Sequence, residues 1–303
     1  MDKAFEMIQR DDVLSGMRHL IDDLHLTRSR LAQPEWESFA RDRAMSHPIR
    51  DIAHLCPMTR RSFDKPRGYA GDAVMLDHIY GIEHPGPDYH PATLAGKIYA
   101  YTINAPASRA VRYRRKVLAE LIDDAAARCG AGNARILSIA AGHLREAEIS
   151  ATVKQRAFAE FVALDQDQES LDVIKRDYAQ FGVTARHGSV LQLLKNRNEF
   201  NGFDLVYAAG LFDYLEHAVA KRLVERMHGM LNPGGRLLVA NFTHSVPDAG
   251  YMEAFMDWWL IYRGKQEMLS LFESLSPFTG NPRIFFDPGE NIVFAEWTKS
   301  ATT

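Results

Sequence analysis

One stretch of the sequence limits the fold more than any other: an apolar run that ends in a turn of small residues. The run Ile136–Ile139 is made largely of strand-favouring residues, and the small residues Ala140–Gly142 follow it directly. A helical pattern then begins, which we place at Arg145–Arg156. The next apolar run, Phe161–Leu164, ends at Asp165, at about the twenty-residue distance expected of a ribose-binding carboxylate. A strand, a tight turn and a helix N-terminus in this order are typical of a βαβ unit that holds a nucleotide.

Strands alternate with helices after residue 134, which predicts an α/β fold with a mostly parallel sheet covered on both faces. The predicted strands are Arg135–Ala140, Ala159–Leu164, Val183–Arg186, Asp204–Ala208 and Arg236–Asn241. The predicted helices are Arg145–Arg156, Glu169–Phe181, Val190–Lys195 and His217–Leu231, with a turn at Asn232–Gly235. The chain then continues in one long predicted helix, Tyr251–Leu275, and a hairpin of Arg283–Phe286 with Asn291–Trp297.

Residues 1–118 show apolar side chains at helical spacing and no sustained strand alternation, so this part is predicted to be helical. Within it, the segment Lys65–Asp72 combines two glycines, a proline, an aromatic residue and several charges in one short loop. Loops of this composition are where binding residues tend to lie. We therefore divide the chain into a helical cap or lid domain at 1–118 and an α/β domain at 119–303.

The composition indicates an ordinary globular protein of a reducing compartment. No apolar run is long enough to span a bilayer, and the segment Met1–Glu6 lacks the basic-then-apolar order of a secretion signal. The two cysteines, Cys56 and Cys129, are far apart and lack metal-type spacing, so neither a disulfide framework nor a metal site is expected. The prediction is a cytoplasmic protein with no membrane partner.

The charge distribution argues against a nucleic-acid partner. The chain carries 36 Lys and Arg against 39 Asp and Glu, a formal net charge of −3. A nucleic-acid binder normally presents a concentrated basic face. The one tight basic cluster lies within Arg109–Lys116, and we interpret it as the solvated face of a helix, with a binding patch as the alternative. We therefore expect a small-molecule substrate and no nucleic acid, while the oligomeric state stays open, a homodimer included.

The motifs of residues 119–303, taken in order, resemble those of the class I S-adenosylmethionine (SAM) dependent methyltransferases. The resemblance implies the class I methyltransferase sheet, a Rossmann-like array of five parallel strands closed by the C-terminal antiparallel hairpin. It also implies SAM as the cofactor and methyl transfer as the reaction. The matching segments are Ile136–Gly142, Asp165, His187–Val190, Asp204–Tyr214 and Leu231–Arg236.

Four positions depart from the family pattern. Ser138 replaces the acidic residue that usually starts the glycine motif, and Ala140 and Leu144 replace the first and last glycines of that motif. Ser189 stands where an acidic residue commonly meets the adenine amino group.

Two further segments are similar to a narrower, bacterial subgroup of these enzymes that has an N-terminal helical cap. The segments are Lys65–Asp72 and Ala209–Leu215. The subgroup includes methyltransferases assigned to the synthesis of 3-hydroxypalmitate methyl ester signals, and the similarity does not fix the substrate.

A cofactor role is predicted for residues that follow the ends of the strands. Small side chains let the backbone approach the ligand, since a Cβ of any size would hold it off. Asp165 can accept hydrogen bonds from both ribose hydroxyls, or it can cap the next helix. Ser189 can meet the adenine edge or form only a local turn. The predicted cofactor-binding residues of this domain are Ala140, Ala141, Gly142, Asp165, Gln166, Ser189, Val190, Ala208, Ala209 and Gly210.

The loop Lys65–Asp72 is predicted to complete the cofactor site. Lys65 or Arg67 can pair with the methionine carboxylate, and Asp72 with the ammonium group, as charge-assisted contacts. Tyr69 can pack its ring against the sulfonium, a cation–π contact of about 0.5–2 kcal/mol. The alternative for each is an ordinary surface or interdomain contact, because binding loops and docking loops share this composition.

Methyl transfer is an in-line displacement at an activated carbon, so the protein contributes mainly orientation and exclusion of water. A general base is needed only if the acceptor must lose a proton, and a carboxylate acceptor needs none. Asp213 and His217 share one helix face if that helix begins early. The alternatives are a solvated helix start for His217 and a pocket wall for Tyr214. The candidate catalytic residues are Tyr69, Asp213, Tyr214 and His217, with His143 and His244 as further candidate bases.

The sequence thus predicts a SAM-dependent O-methyltransferase that acts on a small acceptor, such as a carboxylate, in secondary or signal metabolism. The aromatic residues Phe255, Trp258, Trp259 and Tyr262 are interpreted as core or lid packing, with a substrate pocket as the alternative. Two other functions stay open. One is SAM chemistry without methyl transfer, an intramolecular cyclisation or cleavage that releases methylthioadenosine. The other is a SAM-binding regulatory protein without catalysis, which the degenerate glycine motif suggests.

Overall fold

A computed structural model describes residues 1–84, 86, 89–195, 199–275 and 282–300. The chain forms two compact units. The first consists of Met1–Arg112 and Ser245–Trp259, and the second of Tyr113–His244 and Leu260–Thr303. Among the described residues, no helix has both the length and the apolar character needed to cross a membrane.

The first unit is helical, as the spacing of its apolar residues predicts. Its helices are α1 (Asp2–Gln9), α2 (Val13–Arg30), α3 (Gln33–Ser38), α4 (Ile49–Ala53), α5 (Pro57–Asp64), α6 (Ala73–Tyr80), α7 (Leu94–Thr102) and α13 (Ala249–Phe255), with a π-helical turn at Phe39–Ala44. Helix α8 (Pro106–Cys129) begins in this unit and continues into the second.

The second unit is built on a sheet of seven strands among the described residues, in the order β3-β2-β1-β4-β5-β7-β6. Strands β1 to β5 are parallel, β7 is antiparallel to β5, and β6 is antiparallel to β7. The strands are β1 (Arg135–Ile139), β2 (Glu160–Asp165), β3 (Val183–His187), β4 (Phe203–Ala208), β5 (Leu231–Phe242), β6 (Arg283–Phe286) and β7 (Ile292–Thr298). This arrangement confirms the predicted parallel sheet with its C-terminal hairpin, and with it the class I methyltransferase fold.

The chain reverses its direction of winding between β1 and β4, the two central strands. Both are almost entirely buried, as expected of parallel strands covered on both faces. Their register pairs Ile136 with Leu205 and Ser138 with Tyr207, so the two strands end side by side. Open α/β sheets bind ligands at the carboxyl ends of the strands at such a switch point. The helices of this unit are α9 (Ala151–Lys154), α10 (Gln168–Tyr178), α11 (Val190–Lys195), α12 (His217–Met230) and α14 (Lys265–Ser270).

The predicted helix Arg145–Arg156 is wrong, because two separate helical turns occupy this range. A 3-10 turn covers Arg145–Glu148, and the short α9 follows. Ser150 starts α9 by accepting a hydrogen bond from the Val153 amide at 3.2 Å. The carboxylate of Asp123 on α8 accepts two more amide bonds from the same helix start. Such capping contacts are made at the start of a helix, so a new helix begins at this point of the predicted range.

The predicted long helix Tyr251–Leu275 is also wrong. Helix α13 ends at Phe255, the segment 257–264 is non-helical, and α14 begins at Lys265. Asp257 has a φ of 45°, a left-handed backbone that a continuous right-handed helix does not contain. At the other end Glu267 reaches back to the Gly264 amide at 2.7 Å and starts α14. The predicted turn at Asn232–Gly235 falls inside the range of β5 at an interruption of its pairing with β4: Phe203 pairs with Leu231, Leu205 pairs with Arg236, and Gly234 between them has a φ of 78°.

Residues 245–259 lie in the first unit, although the sequence assigned them to the α/β domain. The Glu253 carboxylate on α13 is bound by the Arg28 guanidinium at 2.6 and 2.9 Å and by the Trp36 indole N–H at 2.6 Å. Gly250 lies against Leu24, where a Cβ would meet the backbone of α2 at 3.0 Å. These partners are more than 200 positions away, so no local pattern in 245–259 indicates them.

The aromatic residues near α13 do not share one helix face. Phe255 and Trp258 are buried in the first unit, and Tyr262 is buried in the second. Trp259 is half-buried, with its indole N–H bound to the Asp257 carboxylate at 2.7 Å. Three of the four therefore take part in packing, in line with the core interpretation.

Candidate functional site

The turn after β1 keeps a left-handed backbone at three positions although only one of them is glycine. Ala140, Gly142 and Leu144 have φ values of 54°, 53° and 52°. A residue with a Cβ pays on the order of 1–2 kcal/mol for this conformation. Ala140 and Leu144 are the positions at which the family pattern has glycine, so the glycine-type backbone is retained where the glycines are not. The Ala141 amide binds the Leu164 carbonyl at 3.1 Å and joins the turn to the end of β2.

Asp165 holds the turn from the neighbouring strand. One carboxylate oxygen accepts a hydrogen bond from the Gly142 amide and the other from the Asp167 amide, both at 2.8 Å. The side chain is 7% exposed, and burial raises the pKa of Asp165 above its ordinary value although these amides act to lower it. Asp167 is the residue that caps α10, through the Glu169 amide at 3.0 Å. Asp165 therefore does not serve as the helix cap that was the alternative to ribose binding.

The loop after β3 contacts the same carboxylate-bearing residue. The Gly188 amide binds the Asp165 carbonyl at 2.9 Å. A Cβ at position 188 would lie 2.8 Å from a methyl group of Leu164, so this approach favours glycine. Ser189 caps α11: its hydroxyl accepts the Gln192 amide at 3.3 Å and its amide binds the Gln192 side chain at 2.8 Å. Ser189 thus has a structural role in a local turn, and its predicted contact with adenine stays a prediction.

A buried carboxyl lies behind the turn. The Tyr207 hydroxyl on β4 donates a hydrogen bond to a Glu146 carboxyl oxygen at 2.7 Å, and both side chains are buried. Burial raises the pKa of Glu146, which the Tyr207 hydrogen bond and Arg114 oppose. Tyr207 lies opposite Ser138 in the register of β1 and β4. Glu146 is not among the predicted site residues, since one acidic residue after a glycine-poor turn has no distinctive pattern in the sequence.

A buried arginine of helix α8 lies against the end of β4, although the sequence predicts an exposed position for it. Ala208 and Ala209 are buried, and the Arg114 guanidinium on α8 donates to the Ala209 carbonyl at 2.7 Å. Arg114 is only 6% exposed, so the prediction that this cluster is a solvated helix face is wrong at Arg114. Its neighbour Arg115 pairs with the Glu148 carboxylate. Helix α8 therefore turns part of its basic face towards the interior of the second unit.

The three candidate catalytic residues after β4 lie in different environments. Asp213 is 3% exposed and accepts a hydrogen bond from the Phe242 amide at 2.7 Å. Burial raises the pKa of Asp213 to about 6, although the Phe242 amide and two arginines act to lower it. His217 is exposed at the first position of α12, and Tyr214 is 40% exposed. Asp213 lies in a 3-10 turn before α12, so it does not share a helix with His217.

The two further candidate bases are also engaged. The His244 ring nitrogen Nε2 lies 2.7 Å from a Glu267 carboxylate oxygen. His143 is 5% exposed in the turn after β1, where it also interacts with a neighbouring group.

The predicted lid residues belong to the first unit. Asp72 is buried, caps α6 through the Met75 amide at 2.8 Å, and pairs with the Arg61 guanidinium at 2.7 Å. Lys65 has a left-handed backbone and pairs with Asp257. Arg67 and Tyr69 are half-buried in the loop between α5 and α6. The roles predicted for these four side chains towards the cofactor remain predictions.

The residues at the carboxyl edge of the sheet fit an adenosyl cofactor. An ionised carboxylate offers about four lone-pair positions. The two amides that bind Asp165 therefore leave its side chain able to accept from the two ribose hydroxyls. Gln166, next in the chain, is exposed at this edge. The small residues 140–142 and 208–210 leave the backbone open to a ligand at the ends of β1 and β4.

Comparison with known proteins bears on both the fold and the enzyme class. Residues 129–235 match the family model described as a methyltransferase domain, whereas no curated protein matches the sequence. The chain is similar to the structure of a possible exported protein from Bordetella parapertussis, with 17% identity and a TM-score of 0.56 over 84% of this chain and 98% of that one. This likeness shows the fold alone.

Two solved methyltransferases are similar at lower scores. One is the N-methyltransferase NodS from Bradyrhizobium japonicum in complex with S-adenosylhomocysteine, with 13% identity and a TM-score of 0.44 over 65% of this chain and 89% of that one. The other is an O-methyltransferase family protein from Burkholderia thailandensis, with 12% identity and a TM-score of 0.49 over 71% and 62%. These scores are too low to transfer any detail. The matched domain and the strand order together identify the protein as an enzyme with a class I, SAM-dependent methyltransferase domain.

Proposed function

We propose that the protein transfers the methyl group of SAM to an oxygen atom of a small acceptor, and that this oxygen belongs to a carboxylate. The observation that supports this proposal most directly is the hydrogen bond of 2.8 Å from the Gly142 amide to the Asp165 carboxylate. It fixes an acceptor for two hydroxyl donors beside a turn of small residues, at the switch point of the sheet. When bound, SAM supplies a methyl group that is already activated for displacement.

The contacts made by the candidate bases support a carboxylate as the methyl acceptor. Asp213 is committed to the Phe242 amide, and His244 lies in contact with Glu267. His217 is solvated at the start of α12. A phenol or an alcohol must lose a proton on transfer, whereas a carboxylate is already ionised at neutral pH. The side chains of the second unit then need only orient the acceptor and exclude water.

The loop Lys65–Asp72 enters this proposal as the predicted contact to the methionine part of SAM, with Tyr69 packed against the sulfonium. The narrower resemblance carried by this loop supports a long-chain 3-hydroxy carboxylic acid as the acceptor. A membrane-independent, small-molecule reaction of secondary or signal metabolism is the setting that we propose for the enzyme.

The test is turnover of SAM with a panel of acceptors: 3-hydroxypalmitate, a short carboxylic acid, a catechol and a primary amine. Products are followed by mass spectrometry as S-adenosylhomocysteine and as methylated acceptor. We expect S-adenosylhomocysteine only in the presence of a carboxylic acid, together with the methyl ester. Asp165→Ala lowers kcat/KM for SAM by roughly 10²-fold, and Asp172→Asn, which changes an exposed carboxylate on α10, leaves it unchanged.

Each other outcome contradicts part of the proposal. Methylation of the catechol or the amine alone contradicts the carboxylate acceptor. Methylthioadenosine formed without any acceptor indicates cyclisation or cleavage of SAM instead of transfer. Tight binding of SAM with no turnover on any acceptor, in a protein whose folding is intact, supports a regulatory role.

A further inference from the structure

Arg114 is a buried cation whose hydrogen-bonding capacity is largely unused. The side chain is 6% exposed, and its one hydrogen bond among the described residues joins Nη1 to the Ala209 carbonyl at 2.7 Å. A guanidinium carries five N–H donors. No carboxylate of the described chain lies within 4.0 Å of it. No nitrogen of Arg114 is among the described side-chain atoms that are fully buried without a partner, so its remaining donors keep access to solvent and to a ligand.

Arg263 shows how this unit satisfies an arginine that has a purely structural role. Its guanidinium is 2% exposed and donates to the carbonyls of Phe212 and Leu215 and to the side-chain oxygen of Asn241. Three acceptors surround Arg263, whereas one surrounds Arg114. The difference leaves one whole edge of the Arg114 fork available.

The acidic groups nearest to Arg114 are already committed. Glu146 and Asp213 both feel its charge, which lowers their pKa against the larger raising effect of burial. Glu146 accepts the Tyr207 hydroxyl at 2.7 Å, and Asp213 accepts the Phe242 amide at 2.7 Å. Neither carboxyl lies at ion-pair distance from the guanidinium. An anion from outside the chain is therefore the group that would complete the site.

The position of the guanidinium indicates which ligand brings that anion. A Cβ at Gly210 would lie 3.8 and 3.9 Å from the two terminal nitrogens of Arg114. The fork therefore lies in contact with the backbone that leaves β4, at the carboxyl edge where this sheet type binds ligands. An arginine fork matches a carboxylate with two parallel hydrogen bonds, a geometry that a lysine cannot reproduce.

We propose that Arg114 binds the carboxylate of a ligand held at the end of β4. This inference rests on the proposed function, since it concerns the same site. Two ligands carry such a group: the amino-acid part of SAM, and a carboxylic acid acceptor. The chemistry is the same for both, and the experiment separates them.

The experiment measures binding of three probes by calorimetry to the full chain: S-adenosylhomocysteine, its decarboxylated analogue and methylthioadenosine. The analogue retains the ammonium group but lacks the carboxylate. The variants are Arg114→Gln and Arg114→Lys, and the control is Lys116→Gln, which removes an exposed charge from the same helix. Thermal unfolding of each variant checks that it is folded, and Arg114→Lys keeps the test usable if the Gln variant is not.

If the carboxylate is that of SAM, wild-type protein binds the decarboxylated analogue at least about 10-fold more weakly than S-adenosylhomocysteine, the low end for charge-assisted hydrogen bonds. Arg114→Gln then abolishes this difference, Arg114→Lys retains part of it, and methylthioadenosine binds all variants alike. If the carboxylate is that of the acceptor, S-adenosylhomocysteine binding is unchanged and the KM for the acid rises by a similar factor at unchanged kcat.

The proposal is overturned if Arg114→Gln weakens S-adenosylhomocysteine and methylthioadenosine by the same factor, or if it changes neither cofactor binding nor the acceptor KM. Wild-type protein that binds none of the adenosyl probes overturns the cofactor site itself, and this proposal with it. If the protein binds the cofactor but methylates no acceptor of the panel, only the proposed acceptor is contradicted. The calorimetric measurements still test the role of Arg114 in that case.

Discussion

Asp165→Ala is the substitution to which the cofactor site is most sensitive, because one side chain serves both the turn and the ligand. In the protein itself, the two oxygens accept amide bonds of 2.8 Å from Gly142 and Asp167. Hydrogen bonds to a charged group contribute about 1.5–3 kcal/mol each. Burial opposes the ionised form, as the raised pKa of Asp165 indicates, and this offsets part of the gain. We therefore expect the free energy of unfolding to fall by only about 1–3 kcal/mol.

The effect on cofactor binding is larger. The two ribose hydroxyls lose a charged acceptor, which at the low end amounts to about 3 kcal/mol, or roughly 10²-fold in Kd. Asp165→Asn keeps one acceptor oxygen without the charge, so its loss lies between those of wild type and the alanine variant. Isothermal titration with S-adenosylhomocysteine measures both, and urea unfolding separates lost affinity from lost folding.

The control is Asp172→Asn on α10, which changes an exposed carboxylate that contacts only Gln168 and Lys175 among the described residues. We expect its affinity and stability to equal those of wild type. The reasoning is refuted if folded Asp165→Ala binds S-adenosylhomocysteine within threefold of the wild-type Kd, since the carboxylate would then make no contact with the cofactor.

Three further predictions concern stability, and urea unfolding measures all of them. Ala140→Gly relieves about 1–2 kcal/mol of left-handed strain, and the greater freedom of glycine in the unfolded chain offsets about 0.4–1 kcal/mol of this gain. The free energy of unfolding should therefore rise by up to about 1.6 kcal/mol, and a decrease contradicts the strain. Asp213 has its pKa raised by burial to about 6 from 3.8, so the folded state binds the proton more tightly than the unfolded state. This contribution to the free energy of unfolding is fully present below pH 3.8 and is lost as the pH rises through 6, by up to about 3 kcal/mol. The free energy of unfolding of Asp213→Asn should not show this decrease. Equal pH slopes for the two proteins between pH 4 and 7 contradict it. Tyr207→Phe leaves the buried Glu146 without its hydroxyl donor and should cost about 1–3 kcal/mol, and adding Glu146→Gln should cost less than the sum of the two single changes; additivity contradicts the contact.

The parallel strands and the hairpin could be predicted from the sequence because each depends on a local pattern. A buried central strand is a continuous apolar run, and helix α11 begins where Ser189 and Gln192 supply both halves of a capping box. The segment Tyr251–Leu275 could not be predicted in this way. Its apolar content suits a helix, but the left-handed Asp257 interrupts it, and α13 packs with residues of the first unit far away in sequence.

The residues of the candidate site differ in the same way: some depend on a local sequence pattern and others on contacts between distant parts of the chain. The position of Asp165 beside the turn could be predicted because its distance from the turn depends only on the short segment between β1 and β2, and the Gly142 amide does bind its carboxylate. The burial of Arg114 could not be predicted, because five basic residues on one helix look alike in sequence. Only the position of β4 decides that Arg114 is buried against Ala209 while Lys116 is exposed.

The departures in the glycine motif have a different meaning in the structure from the one they have in the sequence. Read as residue types, Ala140 and Leu144 weaken the motif and suggest lost function. Read as backbone angles, both positions remain left-handed at 54° and 52°, so the turn has the shape that glycine would give at no cost. A shape that is kept against a cost must be imposed by its surroundings, here the amide bonds of the turn to Leu164 and Asp165. The strain therefore argues for a turn whose shape the site needs, and the replacement of the glycines is not in itself evidence of a lost cofactor site.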